Sequence, residues 1–199
     1  MIRDIVLKSC NPEEYPDEVV SCRLIKNGDI NAYLQTIPEE RKVVATKVAP
    51  VEIRKGEVGE VVHTVLYTER NGRRYILSEE TATVGERAVP QLDGMVCPDA
   101  VVINTNSTSN EAYVVKANKV LSLYEYSEQE KAWIPTREER QLCQVDEDVV
   151  IETAWGSEAV CLKGSYIVVY DTSQNDFNTL EKGAKDSTYV DVKQARKTI

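Results

Sequence analysis

Histidine is nearly missing from this chain of 199 residues, with His63 as its single representative. A Ser-His-Asp triad, a Cys-His pair or a multi-histidine metal site would have to pass through that one side chain. It sits in the strand-like run Val61–Tyr67, so a structural or merely exposed role is expected. Phosphate-cradling loops are missing as well. No G-x-x-x-x-G-K-[ST] or G-x-G-x-x-G occurs, and Gly56 and Gly59 stand among Glu57 and Glu60, whose charges repel phosphate. A P-loop hydrolase is thereby excluded. The five cysteines (Cys10, Cys22, Cys97, Cys143, Cys161) are odd in number and form no C-x-x-C, which argues against a disulfide framework and suits a reducing compartment. Small buried hydrophobes are expected of Cys97 and Cys161 rather than a reactive pair.

Long apolar runs are also lacking: none approaches the roughly 18 residues of a membrane-spanning helix. Arg3, Asp4 and Lys8 interrupt what would be the apolar part of a signal peptide. The expectation is a cytoplasmic protein with no membrane partner. There is no basic excess either, since 33 acidic residues outnumber 24 basic ones for a net charge of −9. The basic residues are interleaved with acids, as in Arg137-Glu138-Glu139-Arg140, so a phosphate backbone finds no continuous positive face and nucleic-acid binding is disfavoured. Asp146-Glu147-Asp148 lacks the glycine and distal glutamate of a calcium loop. It reads as a solvated edge, and no metal or cofactor is expected.

What the chain does have is a block that occurs twice. The first copy runs from Val96-Cys97-Pro98-Asp99-Ala100-Val101-Val102-Ile103 through Tyr113 to Tyr124. The second runs from Val160-Cys161-Leu162-Lys163-Gly164-Ser165-Tyr166-Ile167-Val168-Val169-Tyr170 through Phe177 to Tyr189. The matching positions are 64 or 65 residues apart, the pattern of a tandem duplication. What recurs is turn and core residues, not acids, bases or nucleophiles. Each copy reads as strand, tight turn, strand, polar loop and a short segment closed by tyrosine, with β-branched runs at Val101–Ile103 and Ile167–Val169. The polar stretches Asn104–Asn110 and Asp171–Asp176 are loops.

Elsewhere, Val19–Ile25 and Val43–Val48 are strand candidates, Asn11–Glu14 fits one helical turn stopped by Pro16, and Ile37–Glu40 is a turn. Asn71-Gly72 between apolar runs predicts a two-residue hairpin pairing Val65–Thr68 with Tyr75–Ser78, because both turn residues must take positive φ. Helix is scarce: Ser127–Glu130 and Thr136–Glu139 fit capping boxes, but Pro135 limits both to short pieces. The expected fold is mostly β, all-β or α+β, with antiparallel hairpins in two related lobes. Residues 1–125 form the first lobe, 126–141 a connector and 142–199 the second. The basic tail Lys193–Lys197 is expected to fray.

The second copy, Lys163-Gly164-Ser165-Tyr166-Ile167-Val168 with Phe177 and Tyr189 behind it, resembles the small phage-associated domain named for its PGDYG motif; the first copy, Cys97-Pro98-Asp99-Ala100-Val101-Val102, is similar without the glycine. The resemblance implies a phage or bacterial accessory protein, and that family offers no established catalytic residues to carry over. A second likeness is shorter. Ser107-Thr108-Ser109 followed by Glu128-Gln129-Glu130 resembles the S-T-S and E-x-E elements of ADP-ribosyltransferases, which implies Arg87 or Arg74 as the cofactor-holding arginine, Ser107 as organiser of the NAD site and Glu128 and Glu130 as the carboxylates. Against it stand the close spacing and the Asn-rich loop around Ser107.

The aromatic residues are skewed towards tyrosine, ten against one phenylalanine and two tryptophans. Tyr124, Tyr126 and Trp133 cluster at the lobe junction, either as a contact patch or as core aromatics with their polar ends at the surface. A non-catalytic binding or assembly module follows, working through protein partners or self-assembly on strand edges and polar loops. The alternative is an ADP-ribosyltransferase-like enzyme or a small-nucleotide-binding protein.

Overall fold

The structure is a computed structural model that describes residues 1–136, 138–154 and 156–192; the basic tail at 193–197 and Arg137 of the second capping box lie outside the described residues. The chain is mostly β, and among the described residues its helices are all short. The first half runs β1 (Ile2–Ser9), β2 (Glu18–Ile25), α1 (Ile30–Thr36), β3 (Lys42–Lys47), β4 (Glu52–Lys55), β5 (Val61–Arg70), β6 (Arg73–Thr83), β7 (Glu86–Val89), β8 (Met95–Pro98), β9 (Ala100–Ile103), β10 (Ala112–Val115) and α2 (Ala117–Leu123). The second runs β11 (Tyr124–Ser127), β12 (Ala132–Pro135), β13 (Glu139–Gln144), β14 (Val149–Glu152), β15 (Glu158–Cys161), β16 (Tyr166–Asp171), β17 (Asp176–Leu180), α3 (Lys182–Thr188) and β18 (Tyr189–Asp191).

Two sheets dominate. One has six strands in the order β15-β14-β2-β1-β6-β5, and the other five in the order β17-β16-β13-β3-β18. Of the pairings in these two sheets only β14 with β2 is parallel. A three-stranded sheet β10-β9-β4 approaches the β11-β12 pair through a bridge between Val51 and Trp133. The Asn71-Gly72 turn is as expected: both residues have positive φ, 53° and 71°, and Arg70 pairs with Arg73 around them. Thr68 faces Tyr75, but a bulge at Leu66/Tyr67 moves Leu66 opposite Ser78.

The segment after β8 and the segment after β15 have the same element order, strand, strand, helix, strand. Their registers agree too. Ala100 lies between Lys55 and Val115, as Tyr166 lies between Gln144 and Leu180. In both, the helix passes straight into a strand at tyrosine: Tyr124 faces Pro135 and Tyr189 faces Lys47. The backbone N–H of Thr136 then donates to Leu123, and that of Val48 to Thr188.

The division into successive lobes does not survive this topology. β3, from the first 125 residues, has both its edges filled by the C-terminal part of the chain, β13 on one side and β18 on the other. β2 likewise pairs with β14. The expected connector at 126–141 is itself sheet, holding the end of β11, all of β12 and the start of β13. The capping box at Ser127–Glu130 is instead a hairpin turn, in which Ser127 Oγ accepts from the N–H of Glu130 at 3.2 Å and Lys131 takes φ 53°. A Ser-x-x-Glu pattern serves a hydroxyl-capped turn as well as a helix start. The three α-helices, of seven residues each, span two turns, too short for a 3.6-residue period to show in the sequence.

Burial follows the sheets. Ile25, Ile30, Tyr33, Val149, Ile167 and Phe177 belong to the core beneath α1. Leu7, Cys22, Tyr75 and Val150 form another under the six-stranded sheet. The matching face of β9 and β10 is covered by Val62 and Val84 from the β5–β6 region.

The candidate binding cleft

Strands of the two larger sheets and the C-terminal ends of α2 and α3 converge on one cleft. At the C-terminal end of α2 the N–H of Tyr124 still bonds to Val120 O while its own backbone is extended, so this tyrosine is the residue where helix becomes strand. Tyr189 does the same after α3, bonded to Lys185 O. Both rings line one cleft of about 400 Å³, together with Tyr113, Tyr170, Lys47 and Arg140. Ser109 and Glu111, from the loop after β9, form part of its wall, and Leu66, Tyr67 and Leu77 at the β5–β6 bulge form another part. A second cleft shares Tyr67 and Glu181 with it, and a third shares Leu66, Leu77, Asn178 and Thr179.

The tyrosine hydroxyls are hydrogen-bonding groups and not bases. Tyr113 Oη and Tyr124 Oη lie 2.7 Å apart in a shared hydrogen bond. Burial pushes the phenols of Tyr113, Tyr124, Tyr170 and Tyr189 above the ordinary tyrosine range, so all four stay protonated near neutrality. Burial also lowers the Lys47 amine, while the carboxylate of Glu111 pulls it the other way. Glu111 itself accepts from Asn104 Nδ2 at 2.9 Å and from Ser107 Oγ. Arg140 lies over the Tyr170 ring, 5.1 Å from its centroid, and bonds Glu138. The ensemble places two cations, the carboxylates of Glu111, Glu138 and Glu181, hydroxyl donors and aromatic faces within one concave surface, the composition of a polar ligand site. No family model, no curated protein and no solved structure matches this chain.

Of the residues expected from the sequence, Tyr124 lines the cleft, while Tyr126 and Trp133 do not. Those two face each other across β11–β12 with ring centroids 5.5 Å apart, edge to face. The transferase-like set does not assemble: Arg87, Ser107, Glu128 and Glu130 line none of the three clefts. Arg87 grips Asp99 with two hydrogen bonds, 2.7 and 2.9 Å. Ser107 is buried and spends its hydroxyl on Glu111 and on Asn104 O. Glu128 pairs with Lys131, and Glu130 lies exposed in the same hairpin turn. Arg74 lines the second cleft, stacked on Tyr67 at 4.1 Å and bonded to Thr108 O.

The remaining chemistry is tied into the fold. Asp146, Glu147 and Asp148 pair with Arg41, Arg23 and Arg70 respectively. His63 is exposed on β5. Burial raises the thiols of Cys22 and Cys143 to about 11, and that of Cys161 further, which makes them poor nucleophiles. The sequence pointed to the closing tyrosines through their 65-residue spacing. It gave no signal for Lys47 or Arg140, whose meeting with Tyr170 of the second copy depends on the long-range pairing of β3 with β13 and of β13 with β16.

Proposed function

We propose that this chain is a non-catalytic binding module built from an internally duplicated β unit, and that its ligand enters the tyrosine-lined cleft where the two segments meet. The carrying observation is the convergence of both closing tyrosines, Tyr124 and Tyr189, on one cleft with Lys47 and Arg140. Within it the phenols are held protonated, and Ser107, whose hydroxyl donates to the Glu111 carboxylate at the wall, is itself buried and outside the lining, away from an entering ligand. Arg87 and Ser107 are committed elsewhere, Glu128 pairs with Lys131, and Glu130 lies exposed away from the clefts, which removes the support for a transferase. The phage or bacterial accessory role and the cytoplasmic setting belong to the same proposal; they rest on the resemblance and on the sequence composition.

Contact with a protein partner is a second reading, favoured at the β7–β8 hairpin. There Leu92, Met95 and Val96 are 45, 64 and 59% exposed, more apolar surface at one tip than folding requires.

Thermal denaturation of the purified protein against a panel of nucleotides, sugars, amino acids and short peptides tests the cleft. At least one class should raise the midpoint, and Tyr170→Ala should abolish that rise while leaving the unliganded midpoint close to the parent's. A panel in which no class stabilises the protein, or a rise that Tyr170→Ala leaves intact, would overturn the cleft as the binding site.

A further inference from the structure

The matched registers of the two segments make the cleft's charges interpretable. Lys47 holds, opposite Tyr189, the place that Pro135 holds opposite Tyr124. Arg140 faces Ala45 as Val51 faces Trp133, and Asp191 pairs with Ala45 as Tyr126 pairs with Trp133. At two positions, then, one side of the junction has Pro135 and Val51, which are buried, and the other has a lysine and an arginine. Both cations line the cleft. The fold tolerates apolar residues at these places, so core packing does not call for the charges.

Among the described residues no carboxylate lies within ion-pair distance of Lys47, although thirteen ion pairs form elsewhere. Three acids also line the cleft, and none of them lies within ion-pair distance of Lys47. Glu111 accepts from Asn104 and Ser107, Glu138 from Arg140, and Glu181 from the N–H of Ala184 at 2.9 Å. The charge of Glu111 reaches Lys47 only from beyond ion-pair distance, so the partly withdrawn ammonium has no direct anionic contact, which a ligand's anionic group can supply.

We propose that the cleft takes the phosphate group of a small phosphate ester, held by Lys47 with Arg140 at the rim, and that the tyrosine rings receive its organic part. This rests on the binding-module reading and names its ligand class. The volume suits a molecule the size of a mononucleotide or a sugar phosphate, and tyrosine faces pack against either a base or a sugar ring. The two sources share the phosphate and differ in what the rings touch.

Isothermal titration with AMP, ribose 5-phosphate, adenosine and inorganic phosphate separates them. AMP or ribose 5-phosphate should bind at least about tenfold more tightly than adenosine, with an affinity that falls as salt rises. Lys47→Met should weaken the phosphate ester by about tenfold or more and leave adenosine unchanged; Lys47→Arg should restore most of the loss. Arg140→Gln provides a parallel loss should Lys47→Met disturb folding. AMP binding above ribose 5-phosphate assigns a nucleotide, and equal binding assigns a phosphorylated sugar. Adenosine binding as tightly as AMP, absence of binding by either ester, or an affinity indifferent to both cation variants would overturn the proposal. A stabilising ligand in the thermal panel that carries no phosphate would overturn it while leaving the binding module standing.

Discussion

The segments Met95–Ser127 and Glu158–Asp191 run through the same elements in the same registers, yet they are covered by different material. In the second, Ile167 and Phe177 are sealed by α1 and by the β14–β15 hairpin. In the first, Val101, Ala112 and Val114 are sealed by Val62 and Val84, from the β5–β6 region inserted ahead of β7. A shared ladder of backbone bonds thus fixes position, while side-chain size is set by whatever packs on top. Matched positions should therefore respond unequally to substitution.

The largest contrast falls at the pair Ala112 and Phe177, which face Ile103 and Val169 in equivalent registers. Phe177 is fully buried. Phe177→Ala should destabilise by about 3–5 kcal/mol through the cavity it opens under α1, and Ala112→Phe by about 1–3 kcal/mol through overpacking against the β5 cover. Denaturant unfolding measures both. Equal and small effects would mean that the two covers impose no packing of their own.

Next comes Asp99 against Ser165, each just before its inner strand. Asp99 is 2% exposed and accepts from Arg87, from the N–H of Gly85 and from the N–H of Ala117 at the start of α2. Ser165 uses only its backbone in the tight turn after Leu162, and α3 is capped instead by its own Glu181. Asp99→Ala should cost about 3 kcal/mol, the range for breaking a buried charge pair, and Ser165→Ala well under about 1 kcal/mol. The hydrogen bonds from Arg87 hold the Asp99 carboxyl below its ordinary value of 3.8. A lowered carboxylate stabilises the fold above its unfolded pKa and loses that contribution as pH falls through the folded one. The difference between parent and Asp99→Ala should accordingly be full near pH 7 and shrink on acidification below about pH 4. A gap independent of pH would remove the ion pair from the explanation.

A smaller contrast lies at Gly56 and Val145, whose N–H groups donate to Asp99 O at 3.0 Å and Ser165 O at 2.9 Å. A Cβ on Gly56 would stand 2.7 Å from Asp99 O and 2.8 Å from Val84 Cγ1. Gly56→Ala should cost about 1–3 kcal/mol by crowding. Val145 is 2% exposed, and Val145→Ala should lose about 1–2 kcal/mol by emptying space. One place in the ladder then objects to a methyl group added, the other to methyl groups removed.

These contrasts also mark how far the sequence carried. The β-rich class, the Asn71-Gly72 hairpin and the strands at Val101–Ile103 and Ile167–Val169 were legible because turn chemistry and β-branched runs act locally. The closing tyrosines were legible as a spacing, although their shared destination was not. The helices escaped notice because seven residues hold barely two turns, and α2 and α3 begin after Lys116 and Glu181 without a Ser, Thr, Asn or Asp cap. The interleaving of β3 with β13 and β18 rests on pairings across more than 90 residues, for which no local pattern exists. Lys47 and Arg140 were lost with it, since each is an ordinary surface residue until its strand is placed.

The smallest effect sharpens the comparison at the junction itself. Tyr124, Tyr126 and Trp133 form a cluster in the sequence, yet Tyr124 faces the cleft and Tyr126, 46% exposed, packs only its edge on Trp133. Where β11–β12 has this aromatic pair, β18–β3 has Asp191 opposite Ala45, and Asp191 is bound by Lys185 at 2.9 Å. Cross-strand aromatic pairs contribute roughly 0.5–1 kcal/mol. Tyr126→Ala should lower stability by that order, and a double-mutant cycle with Trp133→Ala should recover the coupling between the rings. Ligand affinity at the cleft should not change in Tyr126→Ala, whereas Tyr170→Ala should abolish it. If Tyr126→Ala weakened the ligand as much as Tyr170→Ala, the aromatic cluster would act as one surface, and the site would extend over the outer face of β11–β12 instead of ending at the two closing tyrosines.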